Sequence, residues 1–408
     1  MRPALVSPVI GALLALSASP AALRAQVAVR GKTVHTLAGS AIADGIVLVR
    51  DGKIAAVGSA ADIKVPDGFK VLEAAVVTPG LVDAHTVVGL AGSLNYAHDQ
   101  EQLEPSAPMQ PELRAIDAYN PQERLIEWVR AFGVTTIHTG HAPGELISGQ
   151  TMVVKTKPGP VEAAVLVPSR MVAVTLGADS IKSEAKSPGT RAKQMAMLRA
   201  RFIQAQEYAR KAAATEPDKK PPRDLALEAL GRVLAGEAQL LVTAHRAQDI
   251  ANALRLAEEL KLPLVLDGAA DAGLLLDRIR AAGVPVILHP QMARTTDDLE
   301  NGSFETASVL RRGGIRFALQ SGYESYVPKT RVVLFEAAIA ASNGLSFDEA
   351  LAAITIDAAR ILGVDGRVGS LAIGKDGDLA LYDGDPFEYA SHCTGVVIQG
   401  EVLSEGVN

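Results

Sequence analysis

Cysteine is nearly absent: the 408 residues contain one, Cys393, so no disulfide forms within the chain and stability has to come from a buried core. Aromatic residues are sparse as well, at 4% with a single tryptophan. No stripe of Lys or Arg interleaved with aromatics occurs, and the formal net charge of −6 is spread along the chain. Together these remove the electrostatic footprint of a nucleic-acid-binding protein. Long apolar runs are missing too. The run Val9 to Leu16 is well short of the about 20 residues that a membrane span needs, and no later stretch is long and uncharged enough. The partners left by these exclusions are a small molecule or another protein.

What is present begins with a recognisable leader. Arg2 gives a short cationic start, Val9 to Leu16 an apolar run, and Ser17, Ala18, Ser19 and Ala21 a small-residue stretch. That is the layout of a secretory signal peptide over residues 1–25, with a soluble mature chain starting near Gln26 and exported to the periplasm or the medium. A cut after Ala25 puts the bulky Leu23 at the minus-three position, so the exact site stays open. An uncleaved anchor is the weaker alternative.

Short β segments follow at Val27 to Arg30, Gly45 to Arg50, Lys53 to Gly58 and Lys70 to Val76, with Asp51-Gly52 and Asp67-Gly68 as turn signals. Similar segments return at Leu379 to Tyr382 and Thr394 to Gln399. The two ends, residues 26–79 and 364–408, are expected to join in one small composite β-sandwich domain. Between them, apolar runs such as Leu240 to Ala244, Leu264 to Asp267, Val284 to His289 and Ile315 to Gln320 alternate with helical patterns such as Pro121 to Phe132, Ala247 to Leu260, Ala272 to Ala282, Arg331 to Ser342 and Ser346 to Leu362. Alternation of that kind argues a parallel α/β architecture over residues 80–363. A charged, Ala-rich stretch at about 181–223 reads as an exposed helical insertion.

Six ordered segments resemble the amidohydrolase superfamily, most closely its exported imidazolonepropionase-like and isoaspartyl-dipeptidase-like branches. The most specific are Val77-Thr78-Pro79-Gly80-Leu81-Val82-Asp83-Ala84-His85 and Gly366-Arg367-Val368-Gly369-Ser370-Leu371 with Gly374-Lys375-Asp376-Gly377-Asp378-Leu379. Gly133-Val134-Thr135-Thr136, Ala244-His245-Arg246-Ala247 and Ala352-Ala353-Ile354-Thr355-Ile356 with Ala358-Ala359-Arg360 add support. The resemblance implies a TIM-like (β/α)₈ barrel whose site lies at the C-terminal ends of the strands, where one or two divalent metals activate water for attack on an amide or cyclic amide.

Residue by residue, the resemblance is broken at the metal. The family's His-x-His on strand one reads His85-Thr86-Val87 here; Thr243 stands at the strand-five ligand position, Gly268 at the strand-six histidine and Gly322 at the strand-eight aspartate. Asp267 lies one residue before that glycine and is expected to face away from the site by strand alternation. His85, and Lys155 where relatives carry a bridging lysine, are the matched metal candidates that remain, so one divalent ion such as zinc is expected to be weakly bound or absent.

His245 and His289 are the candidate catalytic residues, and His138, His141 and Tyr323 the candidate ligand-binding ones, all near expected strand ends. A hydrogen-bonded structural imidazole is the competing reading for each histidine. Two functions follow. One is a metal-dependent hydrolase of carbon–nitrogen bonds in small amides, dipeptides or ureides. The other is a noncatalytic amidohydrolase-like barrel that binds a ligand, oligomerises or partners an active relative.

Overall fold

Residues 26–94, 96–183, 186–214, 216, 220–323 and 332–405 are described by the structure, a computed structural model; the leader expected over residues 1–25 lies outside them. The described chain opens with strands β1 (Val27–Val34), β2 (Ile42–Arg50), β3 (Lys53–Ser59) and β4 (Lys70–Pro79). Asp51 and Gly52 join β2 to β3 with φ of 54° and 80°. Two successive left-handed positions suit a short polar residue followed by glycine, which is why Asp-Gly marks this hairpin.

The barrel strands follow as β5 (Leu81–Thr86), β6 (Val134–Thr139), β7 (Ile147–Gln150), β8 (Met152–Lys155), β9 (Val165–Val167), β10 (Met171–Thr175), β11 (Gln239–Ala244), β12 (Leu264–Gly268), β13 (Val286–Leu288) and β14 (Phe317–Leu319). The chain then returns with β15 (Leu379–Tyr382), β16 (Cys393–Ile398) and β17 (Glu401–Glu405). These last strands complete a seven-stranded sheet in the order β17-β16-β15-β4-β1-β2-β3. Val27, Val29, Val47, Val77, Leu379, Leu381 and Val397 form its shared apolar core, so both chain ends depend on each other for burial.

Seven barrel staves run parallel and one does not. β5 pairs parallel with β6, and β10 to β14 form a parallel series. Between them, β7 pairs antiparallel with β10 and β8 antiparallel with β6, so residues 147–155 form a single stave, bent at Thr151, that runs against the others. The connection from β6 to β7 is too short to hold a crossover helix, and a hairpin is what such a link permits. The ring closes through one bridge, Thr86 to Gly322, with the Gly322 N–H donating to the His85 carbonyl at 3.1 Å.

Helices wrap the outside. Ala247–Leu260 has the expected bounds, whereas the expected helix Ser346 to Leu362 is two, Phe347–Ala353 and Ile356–Ile361. Ser346 and Glu349 form a capping box at the start, and Thr355, with φ −140° and ψ −96°, breaks the run. The insertion holds a 22-residue helix, Arg191–Ala212, capped by Thr190. Its Leu198, Phe202 and Ala205 are buried with Leu230 and Val233 of the next helix, so one face packs while the charged one meets solvent.

Strand alternation then fixes what lies inside the barrel. Val82, Val153, Met171, Leu241, Val265, Ile287 and Ala318 meet in one interior layer. Their neighbours Leu240, Leu264, Val286 and Phe317 point outward into the layer under the helices. Two residues beyond the interior layer, toward the C-terminal mouth, the same face carries Thr243, Asp267, His289 and Gln320.

Candidate functional site

Asp267 is the hub of that polar layer, which corrects the expectation that it faces away. Gly268, taken as the match to the family's histidine, is the residue off the inward register, because Val265 already points into the barrel and Asp267 follows it by two. The buried Asp267 carboxylate accepts from Thr243 Oγ1 at 2.7 Å and Gln320 Nε2 at 2.7 Å, and His85 Nδ1 lies 3.1 Å from its Oδ1. Burial alone would raise its pKa, but the charge and hydrogen bonds of His85, with those of Thr243 and Gln320, hold it below the ordinary carboxylate range. For His85 burial works downward, and the Asp267 charge and hydrogen bond with the charge of Asp83 and the His141 backbone outweigh it, so its pKa is raised. The two therefore form a buried, hydrogen-bonded histidine–carboxylate pair in which each favours the charged form of the other.

Asp83, beneath them, accepts from Ser321 Oγ at 2.5 Å, Ser321 N–H at 3.0 Å and the His85 N–H at 3.3 Å. Burial nevertheless pushes its carboxyl up to about 6. It ties strand β5 to the segment after β14 at the point where the barrel closes.

A cavity of about 70 Å³ opens above the pair, walled by His85, Thr243, His245, Asp267, Gln320 and Tyr323. It leads past His245, Leu299 and Tyr323 into a wider vestibule of about 550 Å³ that Glu145, Asp179 and Lys182 also line. Burial pushes the His245 pKa down to about 4, so the ring is neutral, and its Nδ1 is buried without a hydrogen-bond partner. Its ring occupies the space beside Gly268 where a Cβ would sit. The glycine thus makes room for a histidine supplied by the neighbouring strand. The Gln102 side chain donates to Tyr323 Oη at 3.2 Å, which steadies the phenol at the mouth.

The other candidates sit elsewhere. Lys155 corrects most sharply: it lies at the floor end of the reversed stave, 2.8 Å from Asp376 Oδ2 and 2.5 Å from Asp378 Oδ2, and 1% exposed. A lysine held in two ion pairs on the far side of the interior layer neither reaches the cavity nor bridges metals there. His138 is structural: its Nδ1 donates to the Ala84 carbonyl at 2.7 Å, and its Nε2 accepts from Thr151 Oγ1 at 2.6 Å. Burial, then the charge of His85, lowers its pKa to about 3. His141 packs its ring against Gly149, outside the cavity wall, and burial lowers it to about 4. His289 shares the inward face but turns toward a second pocket behind residues 293–304.

A catalytic metal needs about three converging protein ligands. Among the described residues no group of three or more His, Cys, Asp or Glu side chains is arranged to hold one. His85 bonds Asp267 through one ring nitrogen, and Asp267 is engaged by three protein donors, while His85 Nε2 and His245 Nδ1 are buried without hydrogen-bond partners. Among the described residues no helix is long and apolar enough to cross a membrane.

Comparison with known proteins bears on this geometry. The sequence model of the Amidohydrolase family matches residues 109–404. The amidohydrolase tasK of Hapsidospora irregularis is 24% identical over 79% of this chain, which spans only 36% of that protein. The imidazolonepropionase of Rhizorhabdus wittichii is 25% identical, with 87% of this chain and 92% of the relative covered. The crystal structure of an amidohydrolase from Thermotoga maritima superimposes with a TM-score of 0.87 at 27% identity, covering 93% of this chain and all of that one. A zinc-bound adenosine deaminase from Xanthomonas campestris, at 16% identity and a TM-score of 0.53, shares the fold. With a barrel, a mouth of polar side chains and a family match over most of its length, this chain belongs to the amidohydrolase family, generally metal-dependent hydrolases of carbon–nitrogen bonds.

Proposed function

We propose that the protein hydrolyses a carbon–nitrogen bond in a small amide, cyclic amide or ureide, using the buried His85–Asp267 pair and His245, with any divalent ion held weakly at most. The observation that carries this reading is the cavity walled by two buried imidazoles, His85 bonded to the Asp267 carboxylate and His245 with a ring nitrogen that has no hydrogen-bond partner. Relatives named amidohydrolase and imidazolonepropionase favour it over a noncatalytic barrel.

The pair supplies complementary chemistry. Asp267 favours the protonated form of His85, and in that form the imidazolium polarises the substrate carbonyl and stabilises the oxyanion that forms. Neutral His245 takes a proton from water as the hydroxyl adds to the carbonyl carbon. It returns that proton to the leaving nitrogen as the carbon–nitrogen bond breaks, giving a carboxylic acid and an amine. Thr243 and Gln320 position Asp267 and take no part in proton transfer.

Purified protein should turn over small cyclic amides or ureides and retain that activity after dialysis against a chelator. Asp267→Asn should lower kcat by about 10² to 10⁴-fold. Chelator-sensitive turnover with stoichiometric metal would sink the metal-free assignment, and no turnover of any such substrate would leave a binding role or pairing with a related barrel. We also propose export, supported by the leader-like residues 1–25; an intact Met1 on protein recovered outside the cytoplasm, by mass spectrometry, would overturn it.

A further inference from the structure

Residues 292–304 cross the barrel mouth and divide three spaces. Leu299 lines the reaction cavity, the vestibule and the second pocket, of about 330 Å³, alike. Ala293 lines the cavity and that pocket, and Arg294 the pocket and the vestibule. Displacing this one segment joins all three into a single chamber. We propose that residues 292–304 are a strap that opens to admit ligand to the cavity, and that Arg246 is the positioning residue that holds it closed.

The argument rests on how the segment is fastened. Among the described residues its backbone–backbone hydrogen bonds are all local: Ala293 to Pro290, Leu299 to Thr296, Glu300 to Asp297 and Gly302 to Leu299. None of these joins it to a barrel strand, so the segment can leave without unpairing one. Side chains hold it instead. Arg246 reaches three of its residues: Nη2 donates to the Asp297 carbonyl at 3.2 Å, Nε to Asp298 Oδ1 at 3.3 Å, and Nη1 to Glu300 Oε1. Arg191 Nη2 lies 3.4 Å from Asp298 Oδ1, and the Ala178 N–H donates to Asp298 Oδ2 at 2.8 Å. Asn301 Nδ2 donates to Asp271 Oδ1 at 2.8 Å near the far end.

Arg246 stands where a latch has to stand. It follows His245 of the cavity wall and caps the helix Ala247–Leu260, so its backbone belongs to the barrel while its guanidinium grips the strap. The side chains of Arg246, Asp298 and Glu300 are 29%, 15% and 53% exposed. Water and salt reach these pairs, which makes the latch weak enough to release. Asp297, whose carbonyl Arg246 holds, has φ of 53°, a left-handed conformation that an L residue relaxes from once freed.

Amide hydrogen exchange of the full chain, followed by mass spectrometry, tests the latch. Arg246→Met removes two partly exposed ion pairs and one charged hydrogen bond, and should speed exchange in 292–304 by roughly 10 to 30-fold while leaving the strand Leu264–Gly268 unchanged. Raising salt from about 50 mM to about 1 M should loosen the strap several-fold in the unsubstituted protein and less in the variant. Glu300→Gln, at an exposed position, covers the case in which Arg246→Met does not fold, with a rise of about two to fivefold. Access is read with diethylpyrocarbonate, a small acylating probe, which should modify His245 faster by about the same factor as the exchange. Exchange in 292–304 indifferent to both substitutions would overturn the proposal, as would a rise spread evenly over the chain. Faster exchange without faster acylation of His245 would overturn the gating role. Neither readout needs turnover, so the result stands apart from the proposed reaction.

Discussion

Replacing Lys155 with methionine separates two roles that the same residue could have. Its ammonium lies 2.8 Å from Asp376 Oδ2 and 2.5 Å from Asp378 Oδ2, and all three side chains are buried, at 1%, 0% and 3% exposure. Asp376 keeps other cations, Lys53 at 2.5 Å and Arg367 at 2.9 Å. Asp378 retains only the Gln399 N–H at 2.8 Å among its described partners. The substitution therefore strands one buried carboxylate, and breaking a buried pair from one side costs about 3–5 kcal/mol. At roughly 2–3 °C per kcal/mol for a chain of this size, Tm should fall by roughly 6–15 °C. Lys155→Met/Asp378→Asn, which removes both charges, should recover a large part of that loss. Thermal unfolding by circular dichroism is read beside kcat measured well below either transition. Turnover should persist in the single variant while it is folded, and added bicarbonate should not change it. An unchanged Tm with turnover abolished would refute the placement and return Lys155 to the reaction.

Gly268→Ala should cost about 1–2 kcal/mol in urea unfolding for the left-handed backbone alone, at φ 81°, and lower kcat because the new Cβ displaces the His245 ring; equal stability and activity would count against the assignment. His138, held to about 3 by burial, binds its proton more readily in the unfolded chain, whose pKa is near the ordinary 6.5. Its contribution is thus complete above pH 6.5 and lost as pH falls toward 3, on the order of 4 kcal/mol across that window. His138→Gln should flatten the acid-unfolding curve there, and an unaltered slope would show that other groups set it.

The parts of the fold legible in the sequence were those written as alternating or helical pattern close to the chain. Leu264 to Asp267 reads as a buried strand, one residue short of the observed one, and Ala247 to Leu260 as a helix with its bounds. The reversed stave is not legible, because Ser148 to Thr151 breaks the apolar pattern between Ile147 and Met152 and a strand's direction is set by the length of the link before it. Lys155 follows from that: matched to the bridging lysine of relatives, it is carried to the floor by a reversal that motif spacing does not encode. Anchoring the register on Gly268 turns Asp267 outward, whereas Val265, counted in the interior layer, carries the signal that turns it inward. His245 was singled out, but its place beside Gly268 required two strands to be laid side by side. A glycine in one strand and a histidine in the next are complementary only in space.

The reversed stave also redistributes where the chain is free to vary. Its turn back at 140–146 sits at the mouth, while the long return at 156–170 passes beneath the barrel, where Lys157 meets Glu401 at 2.7 Å and Arg170 meets Gln239 at 2.8 Å. Gly159, at the tip of that return, has nothing within reach of an added Cβ. Loops with exposed tips tolerate insertion, and this one opens on the face remote from substrate. A tag, a fluorophore or a second domain spliced there would ride on the underside of the barrel while the entrance to the cavity kept its shape.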